Sequence, residues 1–256
     1  MNGGRATASD PAARERGRIL FYDWPYSPFC MKVRAILDHK GLEYERVNPL
    51  AARGTLTRRG TGKVPAIEID GEFVTDSTDI AYALDARFPD PPLLPAPPRE
   101  RALCHALEDW ADESLYFLGL YYRWFEEEGR RPIAGVFTKA SPLIGRIAYR
   151  FYLRRVLGQL RGQGTLRKPP EQVARDLERQ LDAVEGLLTP GPYALGGSHR
   201  DARLSPGQAA RPYLCDFALW GQLEYLRRTP VGGEAMKGRG AIGRFLEAEA
   251  FRARAG

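Results

Sequence analysis

Ile19-Leu20-Phe21-Tyr22-Asp23-Trp24-Pro25-Tyr26-Ser27-Pro28-Phe29-Cys30 runs from a strand into the start of a helix. Ile19 to Tyr22 is a short apolar run rich in β-formers. Ser27 stands one position ahead of Pro28, the order of an N-cap followed by proline at the first helical position. Met31, Val33, Ile36 and Leu37 then give a broad apolar face and Gly41 supplies a stop, so the pattern predicts a helix over Pro28–Lys40.

Outward from this start, strands and helices alternate. Glu43 to Val47 alternates like a second strand, and Val64 to Ile69 reads as a third. Asp70-Gly71 is a tight hairpin signal, with Glu72 to Val74 as the fourth strand. Ile80, Ala83, Leu84 and Phe88 keep helical spacing from Ser77 onward. The order is β-α-β, a short irregular or helical piece, then β-β-α, which predicts a small mixed four-stranded sheet carrying helices. Residues 89–98 hold six prolines; such a run is neither helix interior nor central strand, and it reads as a stiff linker. Beyond it the pattern is helical. Leu103, Leu107, Trp110, Ala111, Leu115 and Leu118 mark one long amphipathic helix. Others are expected at Pro142–Leu160, Pro170–Leu188, Leu214–Leu226 and Ala241–Phe251, and no repeat is visible. The expected domains are therefore 18–88 and 99–256, preceded by a disordered leader over 1–17.

The 256 residues are 43% hydrophobic and 27% charged, the balance of a globular protein. No apolar run approaches the roughly 18 residues of a membrane span, and the leader lacks a secretory apolar stretch, so a cytoplasmic location is expected. Three cysteines at unrelated spacings argue against a disulfide framework, and the three histidines give no pair at ligand spacing, so no metal is expected. A net charge of +6 favours anionic partners without choosing among them.

Three motifs choose. Trp24 to Arg34, Lys63-Val64-Pro65 and Thr75-Asp76-Ser77 together resemble the thioredoxin-like N-terminal domain of the glutathione S-transferase family. The likeness is strong over about 19–90 and weaker over the helical half, at Pro192 to Gly197 and Leu214 to Leu219. The first half is also similar to glutaredoxins and to membrane-associated prostaglandin E synthase type 2. Those share a Cys-Pro-Phe/Tyr-Cys where this chain has Ser27-Pro28-Phe29-Cys30. The resemblance implies an enzyme with a thioredoxin-like domain followed by an all-helical one. It would add the thiolate of reduced glutathione, its co-substrate, to an electrophilic small molecule. Family members are commonly homodimers.

What the resemblance implies for single residues has a physical side. Backbone N–H groups and the positive dipole end gather at the start of the helix, and a thiol placed there ionises more readily. Ser27 would hold that thiolate by donating its hydroxyl hydrogen; by itself it is an ordinary helix cap. Val64-Pro65 resembles the family's cis-proline turn, which would offer the Val64 backbone to an extended peptide. Asp76 would take an α-ammonium, while Ser77 and the helix start take the α-carboxylate; simple capping explains Ser77 equally. Lys63 looks like a lysine that holds the ligand's second carboxylate in plant tau-type transferases, or it is merely solvated. Cys30 occupies the resolving-cysteine position of the dithiol relatives, or serves as a small buried hydrophobe. With Ser27 leading, dithiol cycling is closed to this motif. Tyr22 and Tyr26 are further candidates for thiol hydrogen bonding. Tyr26, Tyr116, Tyr121, Tyr122, Trp124 and Phe125 are candidates for the electrophile's pocket.

Other features stand apart from the family pattern. Tyr213 replaces the usual Ser or Thr three residues before Asp216, which leaves Asp216 a folding role. Ser198–Arg211 reads as an inserted surface loop. Gly129 to Pro170 holds ten Lys/Arg and no Asp or Glu, with Arg146, Arg150 and Arg154 one helical turn apart. This 130–168 stretch reads first as a solvated face against Glu126, Glu127 and Glu128, with peripheral membrane contact the alternative and no nucleic-acid motif in support. Two rivals to conjugation remain. One is another glutathione-dependent reaction: isomerisation, dehalogenation, or thiol reduction through Cys30. The other is a non-enzymatic binding or membrane-associated adaptor, as in the metaxin-like branch of the fold.

Overall fold

A computed structural model of the chain describes residues 18–138, 142–195 and 210–251. The expected leader lies outside the described residues, as does the expected inserted loop except Ala210 and Arg211. The chain divides into two compact units, Met1–Pro91 and Pro92–Gly256. The division falls inside the proline-rich segment. Its last residue, Pro98, already opens a helix, where proline's missing N–H costs no hydrogen bond.

The first unit runs β1 (Ile19–Tyr22), α1 (Pro28–His39), β2 (Tyr44–Val47), α2 (Arg53–Arg59), β3 (Ala66–Ile69), β4 (Glu72–Thr75) and α3 (Ser77–Arg87). Its sheet has the order β2-β1-β3-β4. β1 and β2 are parallel, joined through α1, while β3 pairs antiparallel with both β1 and β4. This is the small mixed sheet that the pattern of elements predicts, in the thioredoxin-like arrangement that the resemblance implies. The segment left open as irregular or helical is α2. Its buried Leu56 packs with Tyr22 and Ala66 on one face of the sheet. Alternate strand residues point the other way, and Ile19, Phe21, Ile67 and Ile69 are all buried there. α1 and α3 add Met31, Val33, Ile36, Leu37, Ile80 and Leu84 to the core. Each fully buried Ile or Leu stabilises by roughly 1.5–3 kcal/mol.

One row of this sheet positions the site. Tyr22, Ala66 and Thr75 are directly paired across β1, β3 and β4. Tyr22 ends β1, Ala66 begins β3 and Thr75 ends β4. The turn into α1, the Val64-Pro65 turn and the turn into α3 therefore all leave from the same end of the sheet.

The second unit is helical: α4 (Pro98–Trp110), α5 (Tyr116–Trp124), α6 (Glu127–Thr138), α7 (Pro142–Gln163), α8 (Pro170–Leu188), α9 (Leu214–Arg227), α10 (Pro230–Ala235) and α11 (Gly240–Leu246). The single helix expected through Leu118 is interrupted by a π-helical turn at Ala111–Leu115 and then resumes as α5. The helix expected over Ala241–Phe251 stops at Leu246, and a 3-10 turn covers Glu249–Phe251. α9 is buried along nearly its whole length. Asp216, fully buried, anchors its start: one carboxylate oxygen accepts from the Ala194 N–H at 2.7 Å, the other from the Tyr213 N–H at 2.8 Å. Burial pushes the Asp216 carboxyl up to about 7 against the pull of those two donors. α6 and α7 approach closely because Gly145 has no side chain; a Cβ there would lie 2.1 Å from the Phe137 carbonyl oxygen. No helix among the described residues is long and apolar enough to cross a membrane.

Candidate active site

Ser27 is the N-cap of α1, with an extended backbone at φ −92° and ψ 124°. Its Oγ accepts from the Cys30 N–H at 3.3 Å, and its own hydroxyl hydrogen makes no bond among the described residues. A donor is thus left at the positive end of a helix. The turn behind it is tied twice: the Ser27 N–H donates to the Trp24 carbonyl at 3.0 Å, and the Trp24 N–H reaches the Cys30 Sγ at 3.4 Å. Asp23 adds a deeper anchor. Its buried carboxylate receives the Arg34 guanidinium at 2.7 and 2.8 Å and that of Arg46 at 2.7 Å. Burying a carboxylate is expensive unless it is paired in this way.

Val64-Pro65 is a cis peptide, with Pro65 buried and Lys63 exposed beside it. At the third turn Asp76 adopts φ 75° and ψ 135°, and its Oδ1 accepts from the Thr78 N–H at 2.9 Å. Asp76, not Ser77, is therefore the cap of α3, which corrects the expected division of roles. A second carboxylate oxygen of Asp76 remains at the exposed end of the helix. Ser77 is the first helical residue and buried; its hydroxyl lies 3.4 Å from the Lys32 ammonium, which also reaches the Thr78 hydroxyl at 3.3 Å. Lys32 sits one turn into α1 and is buried with it. Its position between the apolar Met31 and Val33 was the available signal for burial.

The comparisons with known proteins agree with this geometry. The model of the glutathione S-transferase N-terminal domain matches residues 21–92. The isoprene-epoxide glutathione S-transferase of Rhodococcus sp. strain AD45 is 30% identical over 179 residues, 66% of this chain and 73% of that protein. The chain belongs to the glutathione S-transferase family. A probable glutaredoxin of Synechocystis sp. is 37% identical over 82 residues, 30% of this chain and 92% of its own. Among solved structures, the β-etherase LigF of Sphingobium sp. strain SYK-6 aligns with a TM-score of 0.64 over 91% of this chain and 96% of that one, at 20% identity. At that identity the likeness speaks for the transferase fold alone.

Not every candidate residue joins the candidate site. The Tyr22 hydroxyl is directed to Glu68, at 3.5 Å, and its ring packs on Phe73 on the α2 face. Burial and the Glu68 charge both push its ionisation upward, and with its hydroxyl turned to Glu68 the side chain serves the packing of this face. Cys30 is fully buried, and burial pushes its thiol up to about 12. That suits a small hydrophobe that accepts one N–H, not a reactive thiolate. Tyr26, beside Ser27, is 40% exposed and stays available. In the helical unit, Tyr121 and Trp124 are buried; the Trp124 indole donates to the Tyr225 hydroxyl at 3.0 Å, and Tyr121 packs on Tyr122 and Phe125. Their density reflects core packing, which corrects their reading as a pocket wall. Tyr116 packs edge-on against Phe117, and burial raises its hydroxyl well above the usual range. The described residues contain no cluster of three His, Cys, Asp or Glu that could hold a metal.

Proposed function

We propose that the chain is a glutathione transferase whose first unit binds reduced glutathione along the end of the sheet marked by Tyr22, Ala66 and Thr75. That row is the observation that carries the reading, because it gathers three turns with complementary chemistry. The γ-glutamyl head meets Asp76 and the start of α3: the Asp76 carboxylate takes the ammonium, and the first-turn N–H groups take the carboxylate. The cysteinyl backbone pairs with Val64 as an added strand. Lys63 faces the glycyl carboxylate. The sulfur then lies over the start of α1, where Ser27 donates its free hydroxyl hydrogen to it.

The chemistry follows from that bond. The thiol releases its proton to solvent, and Ser27 and the helix dipole stabilise the anion left behind. The thiolate forms a carbon–sulfur bond with the electrophile. The electron pair leaves with a halide or alkoxide, or with an epoxide oxygen that takes a proton from water. The Rhodococcus relative is named for an epoxide, so a small epoxide is the first acceptor to try. Tyr26 is the residue best exposed to touch it. A redox role through Cys30 is disfavoured by its burial. Isomerisation would use the same thiolate, and product analysis distinguishes it.

The test has two steps. Calorimetry should show glutathione binding that weakens in Asp76→Asn. Turnover of an activated aryl chloride or an epoxide should then appear as a glutathione adduct by mass spectrometry. No binding at millimolar glutathione would remove the reading and leave the non-enzymatic adaptor, while binding without any adduct would leave isomerisation or another glutathione-dependent reaction. Sedimentation of the purified protein tests the homodimer expected of a family member.

A further inference from the structure

Helix α7 carries apolar residues on two opposite faces. One face, Gly145, Val156 and Leu160, is buried in the helical unit. On the other, Leu143 is 71% exposed, Ile144 70%, Ile147 51% and Phe151 67%. Leu143, Ile147 and Phe151 follow one another at i, i+4 and i+8, with Ile144 alongside, so they form one stripe. Single exposed apolar residues are ordinary; a contiguous stripe of four large ones is not.

The charges beside the stripe indicate what it fits. Arg146, Arg150 and Arg154 run parallel to it, again one turn apart, and Arg155 follows Phe151 by one turn. All four are exposed, and among the described residues none makes an ion pair or a hydrogen bond. The expected pairing with Glu126, Glu127 and Glu128 does not form. Residues 129–170 contain no carboxylate side chain at all. A second copy of this face is a poor occupant, because a two-fold contact would bring two rows of arginines together without a counter-charge. The chain's own remaining segments are poor occupants too. Residues 1–17, 139–141, 196–209 and 252–256 together include only Met1 and Leu204 as large apolar side chains.

We propose that the exposed face of α7 docks the protein on the surface of an anionic lipid bilayer. The helix lies in the interfacial plane. Leu143, Ile144, Ile147 and Phe151 enter the boundary between headgroups and acyl chains, and the arginines extend sideways to lipid phosphates. The 22-residue helix is charged along its length, which suits lying on a membrane and excludes crossing one. Docking would bring a site in the same chain to the phase in which lipophilic electrophiles concentrate. It rests on α7 alone and stands whether or not the glutathione reading does.

The experiment uses the full chain with vesicles of phosphatidylcholine alone and of phosphatidylcholine with about one third phosphatidylglycerol, followed by sedimentation. Binding is expected to the second only, and to fall at high salt as charges are screened. Each basic side chain near an anionic leaflet contributes about five-fold in affinity. Replacing Arg146, Arg150 and Arg154 together by Gln should therefore weaken binding on the order of 100-fold. The double variant Ile147→Ser/Phe151→Ser should weaken it as well, with melting temperature unchanged in both. A separate variant, Phe151→Trp, should show a blue shift of indole emission with anionic vesicles. No binding to the anionic vesicles, undiminished binding in both sets of variants, or an unshifted indole would overturn the proposal. So would a lipid-free oligomer that Ile147→Ser/Phe151→Ser dissociates, since the face would then belong to a second copy.

Discussion

Replacing Ser27 with alanine separates a helix cap from a catalytic donor. A hydrogen bond to a charged group is worth about 1.5–3 kcal/mol, and 1.36 kcal/mol corresponds to one pKa unit. Losing the Ser27 donor should therefore raise the bound thiol's pKa by about 1–2 units. Below both pKa values the thiolate fraction falls by that factor, roughly 10- to 100-fold. The more basic thiolate is also the better nucleophile, with a sensitivity of about 0.4–0.5, which returns nearly half of the loss on a logarithmic scale. Turnover near pH 6.5 should then drop by about 4- to 20-fold. Above both pKa values the deficit should vanish or reverse, because ionisation is complete in both proteins. Lost capping of the Cys30 N–H should cost about 1 kcal/mol of stability, at any pH. Ser27→Thr keeps both donor and cap and should restore both readouts. The assay is initial rate against pH at saturating glutathione, with a melt of each variant. A Ser27→Ala profile parallel to wild type, displaced by a constant factor or by none, would refute the donor role and leave Ser27 as a cap.

Other residues give sharper separations of binding from folding. Asp76→Asn keeps a side-chain acceptor for the Thr78 N–H, so the melting temperature should barely move while the KM for glutathione rises about tenfold, as expected for a lost charge-assisted bond. Cys30→Ala should leave turnover intact but destabilise by about 1–3 kcal/mol, since the Trp24 N–H loses its acceptor; a fall in turnover out of proportion would return Cys30 to the chemistry. In the native protein a thiol reagent at pH 7.5 should label none of Cys30, Cys104 and Cys215, and all three after denaturation, because each is buried. Asp216→Ala strands two part-buried N–H donors and should cost about 1–3 kcal/mol, read in a urea titration as an earlier midpoint. Its glutathione affinity should be unchanged below that midpoint.

The elements of the first unit were legible because local signals agree there. Ser27-Pro28 starts a helix, Asp70-Gly71 turns a hairpin, and strand residues alternate between faces. A register row cannot be read from one strand alone, yet the row of Tyr22, Ala66 and Thr75 is what joins the three motifs. The same limit explains the misplaced candidates. Tyr22 ends the strand that leads to Ser27, so sequence distance suggested partnership; strand alternation sends its side chain to the α2 face instead. Tyr121 and Trp124 lie close to other aromatics in sequence, but density of aromatic residues marks a core as readily as a pocket. Asp23 and Lys32 escaped notice for the converse reason. A buried charge is recognised only through its partners, and Arg34, Arg46, Ser77 and Thr78 come from elsewhere in the chain. These two residues hold the turn at Ser27 and the start of α3. The geometry at the candidate thiol site therefore depends on contacts that join one motif to another, Lys32 to Ser77, and on Arg46 from β2, as well as on the local order of residues within each motif. Asp23→Asn, which unpairs the buried anchor behind the Ser27 turn, should accordingly weaken glutathione binding together with stability, whereas Asp76→Asn should weaken binding alone.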